Sequence, residues 1–170
     1  MKKYAIIAAF AAALTSAPAF AQALDDNQAQ GSATAEVIAP ITVTHVSGAA
    51  LNFGQFAATR AGTVTVTQTG TRTSADVDLA AGSVPSADSF TVAGDRGRAF
   101  SIATSSSNVV THADGDTMTF TVDAPTTGTL SSPSSGNGTA NFNVGGALAV
   151  VAGQKAGDYT GSYTVTVNYD

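Results

Sequence analysis

The residues from Tyr159 to Tyr169 constrain the fold more than any other stretch of the chain. Their odd positions read Tyr159, Gly161, Tyr163, Val165, Val167, Tyr169, and their even positions read Thr160, Ser162, Thr164, Thr166, Asn168. Period-two alternation over β-forming residues puts an apolar face on one side of a strand and a polar face on the other. A helix would scatter both sets around its axis. Five large apolar side chains lie on one face. Each contributes about 1.5–3 kcal/mol when fully buried, so this strand is expected to anchor its sheet.

The rest of the chain follows the same rule. Val64 and Val66 alternate with Thr63, Thr65 and Thr67, and Met118, Phe120 and Val122 share one face. Charged residues make up only 11% of the chain, and strong helix formers are scarce beside Thr, Ser, Gly and Val. The composition is all-β. Short strands of uneven length, separated by turn residues, predict a β-sandwich rather than a barrel. A long strand is expected over Ala33 to Val46, carrying Pro40 at an edge or a bend. Further strands are expected at Leu51–Phe56, Gly62–Gln68, Ala75–Leu79, Ala140–Val144 and Ala147–Val151. The stretch from Ser89 to Thr104 reads as a hairpin turning at Gly94–Gly97. Residues 131–138 (SSPSSGNG) read as a flexible loop.

The beginning of the chain reads as an address. Lys2 and Lys3 precede an apolar run from Tyr4 to Leu14, and Ala19-Phe20-Ala21 supplies a cleavage site before Gln22. Residues 1–21 are therefore expected to be a signal peptide, residues 22–32 a flexible tail, and residues 33–170 one domain. Loss of Lys2 and Lys3 leaves five cationic side chains against twelve acidic ones and takes the formal charge from −5 to −7. An acidic chain of this kind is a poor partner for nucleic acid, and no segment of the mature chain is apolar enough to span a bilayer. The expected location is the periplasm, the cell surface or the medium. With no cysteine in the chain, burial alone must hold the fold.

The residue patterns offer little chemistry. His45 and His112 stand apart among Thr and Val, without Cys or carboxylates at ligand spacing. Asp114-Gly115-Asp116 begins like a calcium loop but lacks the later acid, so a hairpin turn is expected. Asp76 and Asp78 share a strand face as a solvated pair. No G-x-S-x-G is present, and Arg96 and Arg98 flank Gly97 as turn residues. The expectation is a protein without a catalytic site, cofactor or metal. Asn137-Gly138-Thr139 is a glycosylation sequon that matters only in a glycosylating host.

Three features carry a family resemblance: Leu51-x-Phe53-Gly54 after an extended stretch; Phe90-Thr-Val-x-Gly94 followed by Phe100-Ser-Ile102; and Tyr159-Thr-Gly-x-Tyr163-Thr-Val-x-Val167-x-Tyr169. Together they resemble a secreted bacterial family described as a domain of unknown function. They are also similar to spore-coat-protein-U-type and chaperone–usher pilin subunits. Gly157 and Tyr169 fall where those subunits have an upstream glycine and a penultimate tyrosine. The chain departs from many pilins in having no cysteine and a polar extension before Ala33. The resemblance implies an immunoglobulin-like, pilin-like sandwich that works by strand pairing with copies of itself or other surface subunits, with a periplasmic chaperone as a partner. Tyr163, Val165, Val167 and Tyr169 would line the groove, and Ala35, Val37, Ile41 and Val43 would be the strand that enters one. In an isolated molecule, Ala33–Val46 is expected to close on the terminal strand, because intramolecular pairing avoids the cost of association. The alternative reading is an extracellular carbohydrate- or ligand-binding module, for which tyrosines are few and tryptophan is absent.

Overall fold

The computed structural model describes residues 29–170. The expected signal peptide, its cleavage point and the first part of the tail lie outside the described residues. The chain divides into two units, Met1–Glu36 and Val37–Asp170. In the first, residues 29–36 are exposed and carry no strand. The second is all-β, without a helix, and its strands form antiparallel sheets.

The largest sheet is built on β11 (Gly138–Val150), which changes neighbours halfway. Its first half pairs with β6 (Asp88–Gly94), and β6 pairs in turn with β1 (Thr42–His45) at the sheet edge. Its second half lies between β3 (Gly62–Val66) and β9 (Thr117–Asp123). Beyond β3 comes β4 (Arg72–Ala75); beyond β9 come β8 (Asn108–His112) and β12 (Tyr159–Gly161). The switch of neighbours falls at Gly145-Gly146. A Cβ at Gly145 would collide with the Val66 carbonyl oxygen, and one at Gly146 with that of Thr121. The glycine pair therefore marks close approach of backbone on both flanks rather than a break between two strands.

A second sheet has the order β10 (Thr127–Thr129), β7 (Ala99–Thr104), β13 (Val165–Tyr169). It covers the first half of the large sheet through Phe100, Ile102, Leu130 and Val167, which meet Val92, Phe142 and Val144. A second cluster, around Phe53, Val64, Val66, Met118, Phe120 and Leu148, lies under the small ladder of β2 (Phe56–Ala57) and β5 (Asp78–Leu79). Tyr163 packs against both clusters.

Several expectations change. The Ala33–Val46 strand shortens to Thr42–His45, and it pairs with β6 rather than with the terminal strand. The terminal alternation is two strands: β12 belongs to the large sheet, and β13 to the small one. Ser89–Thr104 is no hairpin, because β6 and β7 lie in different sheets. In both places a period-two pattern marks which side faces the core but cannot mark a change of sheet. Asp76 and Asp78 are not neighbours on one strand. Asp76 lies between β4 and β5 with φ 60°, so the chain turns there. A loop spans 131–137, with Gly138 already in β11, and the Asp114–Asp116 turn stands as expected: the Gly115 N–H donates to His112 O at 2.9 Å and the His112 N–H to Asp116 O at 2.8 Å.

Candidate functional site

Two features adjoin Tyr163. The first is the free edge of β13. Thr164 O accepts from the Ser105 N–H at 3.0 Å, and the Asp170 N–H donates to Ala99 O at 3.4 Å, so the even residues turn their backbone groups toward β7. In an antiparallel ladder the alternate residues must then turn theirs the other way. Val165, Val167 and Tyr169 thus present N–H and C=O groups along the outer edge, and among the described residues no strand pairs with them. β1 lies beside β13 without forming a ladder. Ile41 and Val43 on one side, and Val165 and Tyr169 on the other, pack against the same cluster.

Of the expected groove residues, Val167 is buried and Tyr163, Val165 and Tyr169 are half-buried. Ile41 and Val43 are half-buried beside them, whereas Ala35 and Val37 are exposed, Val37 to 97%. The structure thus brings Ile41 and Val43 to the terminal strand's neighbourhood and leaves Ala35 and Val37 outside any sheet. The Tyr169 hydroxyl ties these parts together. It accepts from the Asp95 N–H at 2.5 Å and donates to Ala39 O at 2.8 Å. Gly94 lies directly against that hydroxyl and has no room for a Cβ.

The second feature is a cavity of about 350 Å³ next to β1 and the chain reversal before β13. Its polar centre is Asp88, 5% exposed at the start of β6. Asp88 Oδ1 accepts from His45 Nε2 at 2.7 Å and from the Ser89 N–H at 2.8 Å; Oδ2 accepts from the Tyr163 hydroxyl at 2.6 Å. A buried carboxylate is costly unless hydrogen-bonded, and these donors meet that demand. Burial first, then the bond to Asp88 and its negative charge, push the Tyr163 phenol well above its ordinary range. Its hydroxyl therefore stays a donor.

Local sequence builds the cavity's walls. Asn52 Oδ1 accepts from the Gly54 N–H at 2.8 Å and turns the chain after Phe53. Asn52 and Ser86 exchange backbone bonds of 2.9 and 3.1 Å, which hold Leu51 and Phe53 against the approach to β6. Arg72 fixes the far side of that turn: its guanidinium donates to Phe53 O, Gln55 O, Ser83 Oγ and Ala80 O. Phe90 and Phe120 each meet Tyr163 edge to face, at 6.2 and 6.3 Å between centroids.

A scan against protein families matches residues 41–169 to the domain of unknown function DUF4402. The chain belongs to this family. The match runs from Ile41 to Tyr169 and so takes in both the β13 edge and the cavity. No curated protein and no solved structure matches the chain.

The cavity was missed in the sequence. His45 lies on the edge strand β1, and its carboxylate partner stands 43 positions away and joins it only through the β1–β6 ladder. Asp88 gave one signal, as a lone acid before an apolar strand. His112 sits beside Tyr159, its Nδ1 3.6 Å from Asp114, and Lys155 pairs with that same acid. Arg98 donates to Asp95 at 2.7 Å, and Arg96 donates to the carbonyls of Pro133 and Ser134, so both serve their turns.

Proposed function

We propose that the protein is a non-enzymatic structural subunit that works by β-strand pairing. The reading extends to an immunoglobulin-like, pilin-like sandwich, exported by a signal peptide cleaved after Ala21 and placed in the periplasm or at the cell surface. The observation that carries it is the outer edge of β13, bonded to β7 on one side only among the described residues. An open edge is a template for another strand, and natural folds cover or charge an edge that has no use. Here the edge residues Val165, Thr166, Val167, Asn168 and Tyr169 include no charge and no proline. A strand laid there would gain main-chain hydrogen bonds and set alternate side chains against the apolar seam.

The occupant is the N-terminal segment of a second copy. Ala33, Ala35, Val37 and Ala39 recur at every second position, and residues 29–41 carry no strand. Such a segment has the period of a strand and joins no sheet among the described residues. Head-to-tail pairing of this kind makes an open chain rather than a closed dimer.

The test is a variant that begins at Ile41, compared with one that begins at Gln22. The longer form should assemble as its concentration rises. The shorter form should remain folded and monomeric and should bind a peptide covering residues 33–41, and Val37→Asp in that peptide should abolish binding. Equal assembly by both forms, or a peptide that never binds, would refute the proposal.

A further inference from the structure

The cavity beside Asp88 has the make-up of a small-ligand site: apolar walls, aromatic rings and one convergent charge. We propose that it binds a small aromatic ammonium ion, with the ammonium group on Asp88 and the ring among Phe53, Phe90 and Phe120. The site is formed within one molecule and does not depend on strand exchange.

Three observations select that ligand class. First, an ionised carboxylate offers about four acceptor positions, and three on Asp88 are filled, by His45, Ser89 and Tyr163. One position on Oδ2 remains for a donor from the ligand. Second, the walls are apolar and aromatic, contributed by Leu51, Phe53, Phe90 and Phe120, so a ring loses little on leaving water and a cation gains from the ring faces. Third, the charge balance is negative. Asp88 is the one acid in the lining, the His45 imidazole is already bonded to its Oδ1, and the whole chain carries −5. An anion would meet a buried carboxylate and be repelled. A sugar would find too few polar partners for its hydroxyls.

The volume, about 350 Å³, suits one ring and a short arm. His45 stands at the mouth: its side chain is 47% exposed, against 7% for Asp88. A ligand that reaches Asp88 would pass the imidazole, whose ring lies 5.1 Å from that of Phe90.

Calorimetric titration of the protein with benzylammonium, benzyl alcohol and phenylacetate tests the proposal, with NMR to locate the contact. Benzylammonium should bind about tenfold more tightly than benzyl alcohol, and phenylacetate should not saturate. The shifts should fall on Phe90, Phe120 and Tyr163. Asp88→Asn should erase the preference for the cation. Because that change also touches the bonds to His45 and Tyr163, a second variant keeps the carboxylate: Ser162→Trp, at an exposed position in the lining, should block the cavity and end binding of the cation. Equal affinity for all three probes, no binding of any, shifts elsewhere on the surface, or unchanged binding by Ser162→Trp would each overturn the assignment. Assembly can be scored in the same samples, so a failure here is separable from a failure of strand pairing.

Discussion

Replacing Tyr169 by Phe removes one oxygen and leaves the ring. In the folded chain that oxygen accepts from the Asp95 N–H at 2.5 Å and donates to Ala39 O at 2.8 Å. The variant leaves a half-buried N–H and a half-buried C=O without their partner. An unsatisfied buried group costs about 1–3 kcal/mol. Both groups here are within reach of water, so the lower end applies, and the expected loss is about 1–2 kcal/mol for the pair. For a domain of this size that lowers the melting temperature by roughly 3–8 °C. The loss should also be local, because the hydroxyl is what joins Ala39 to the Gly94–Asp95 turn. Proteolysis between Val37 and Ile41 should therefore accelerate, while sites in the 131–137 loop are cut as before. Tyr159→Phe is the control. Its hydroxyl accepts from Nε2 of half-buried Gln154 at 3.0 Å and donates to O of exposed Lys155 at 2.9 Å, both in the loop after β11, and the expected cost is below about 1 kcal/mol. The reasoning fails if the two variants melt together, or if Tyr169→Phe leaves cleavage near Val37 unchanged.

Two further perturbations probe the core and the cavity. Because the Tyr163 phenol is raised in the folded state, the unfolded chain loses that proton first as pH climbs. Stability should be flat below the ordinary tyrosine range, near about pH 10, and fall above it; Tyr163→Phe should remove that alkaline slope in denaturation curves taken across the range. Gly146→Ala would press a methyl group on the Thr121 carbonyl oxygen and the Leu51 side chain, and should lower the urea midpoint by the equivalent of about 1–3 kcal/mol. An unchanged midpoint would mean that β9 can move away from β11 without cost.

The alternation in the sequence sorted inside from outside well. Val64 and Val66, Met118 and Phe120, Phe142 and Val144 all turn inward as their period requires. It could not assign strands to sheets. Tyr159–Tyr169 keeps one period throughout, yet the chain leaves the large sheet after Gly161 and joins the small one at Val165. What redirects it is Ser105, whose N–H donates to Thr164 O and whose hydroxyl accepts from the Thr164 N–H at 3.1 Å. A serine in a loop some sixty positions away carries no periodic signal. The Gly145-Gly146 pair misled for a related reason: glycine reads as a break, and here it admits two neighbouring strands. The inward side of Tyr163, Val165, Val167 and Tyr169 was legible because burial and period coincide. The His45–Asp88–Tyr163 cluster was not, because three single residues become a site only through the β1–β6 pairing and the turn before β13.

Residue-resolved hydrogen exchange along β13 tests the strand-pairing account most directly. In dilute monomer the amides of Thr166 and Asn168, which face β7, should be protected, and those of Val165, Val167 and Tyr169 should exchange about tenfold faster or more. Adding the peptide over residues 33–41, or raising the protein concentration, should slow the second group and leave the first unchanged. Equal protection of all five amides in dilute monomer, or no gain in protection on adding the peptide, would contradict the account.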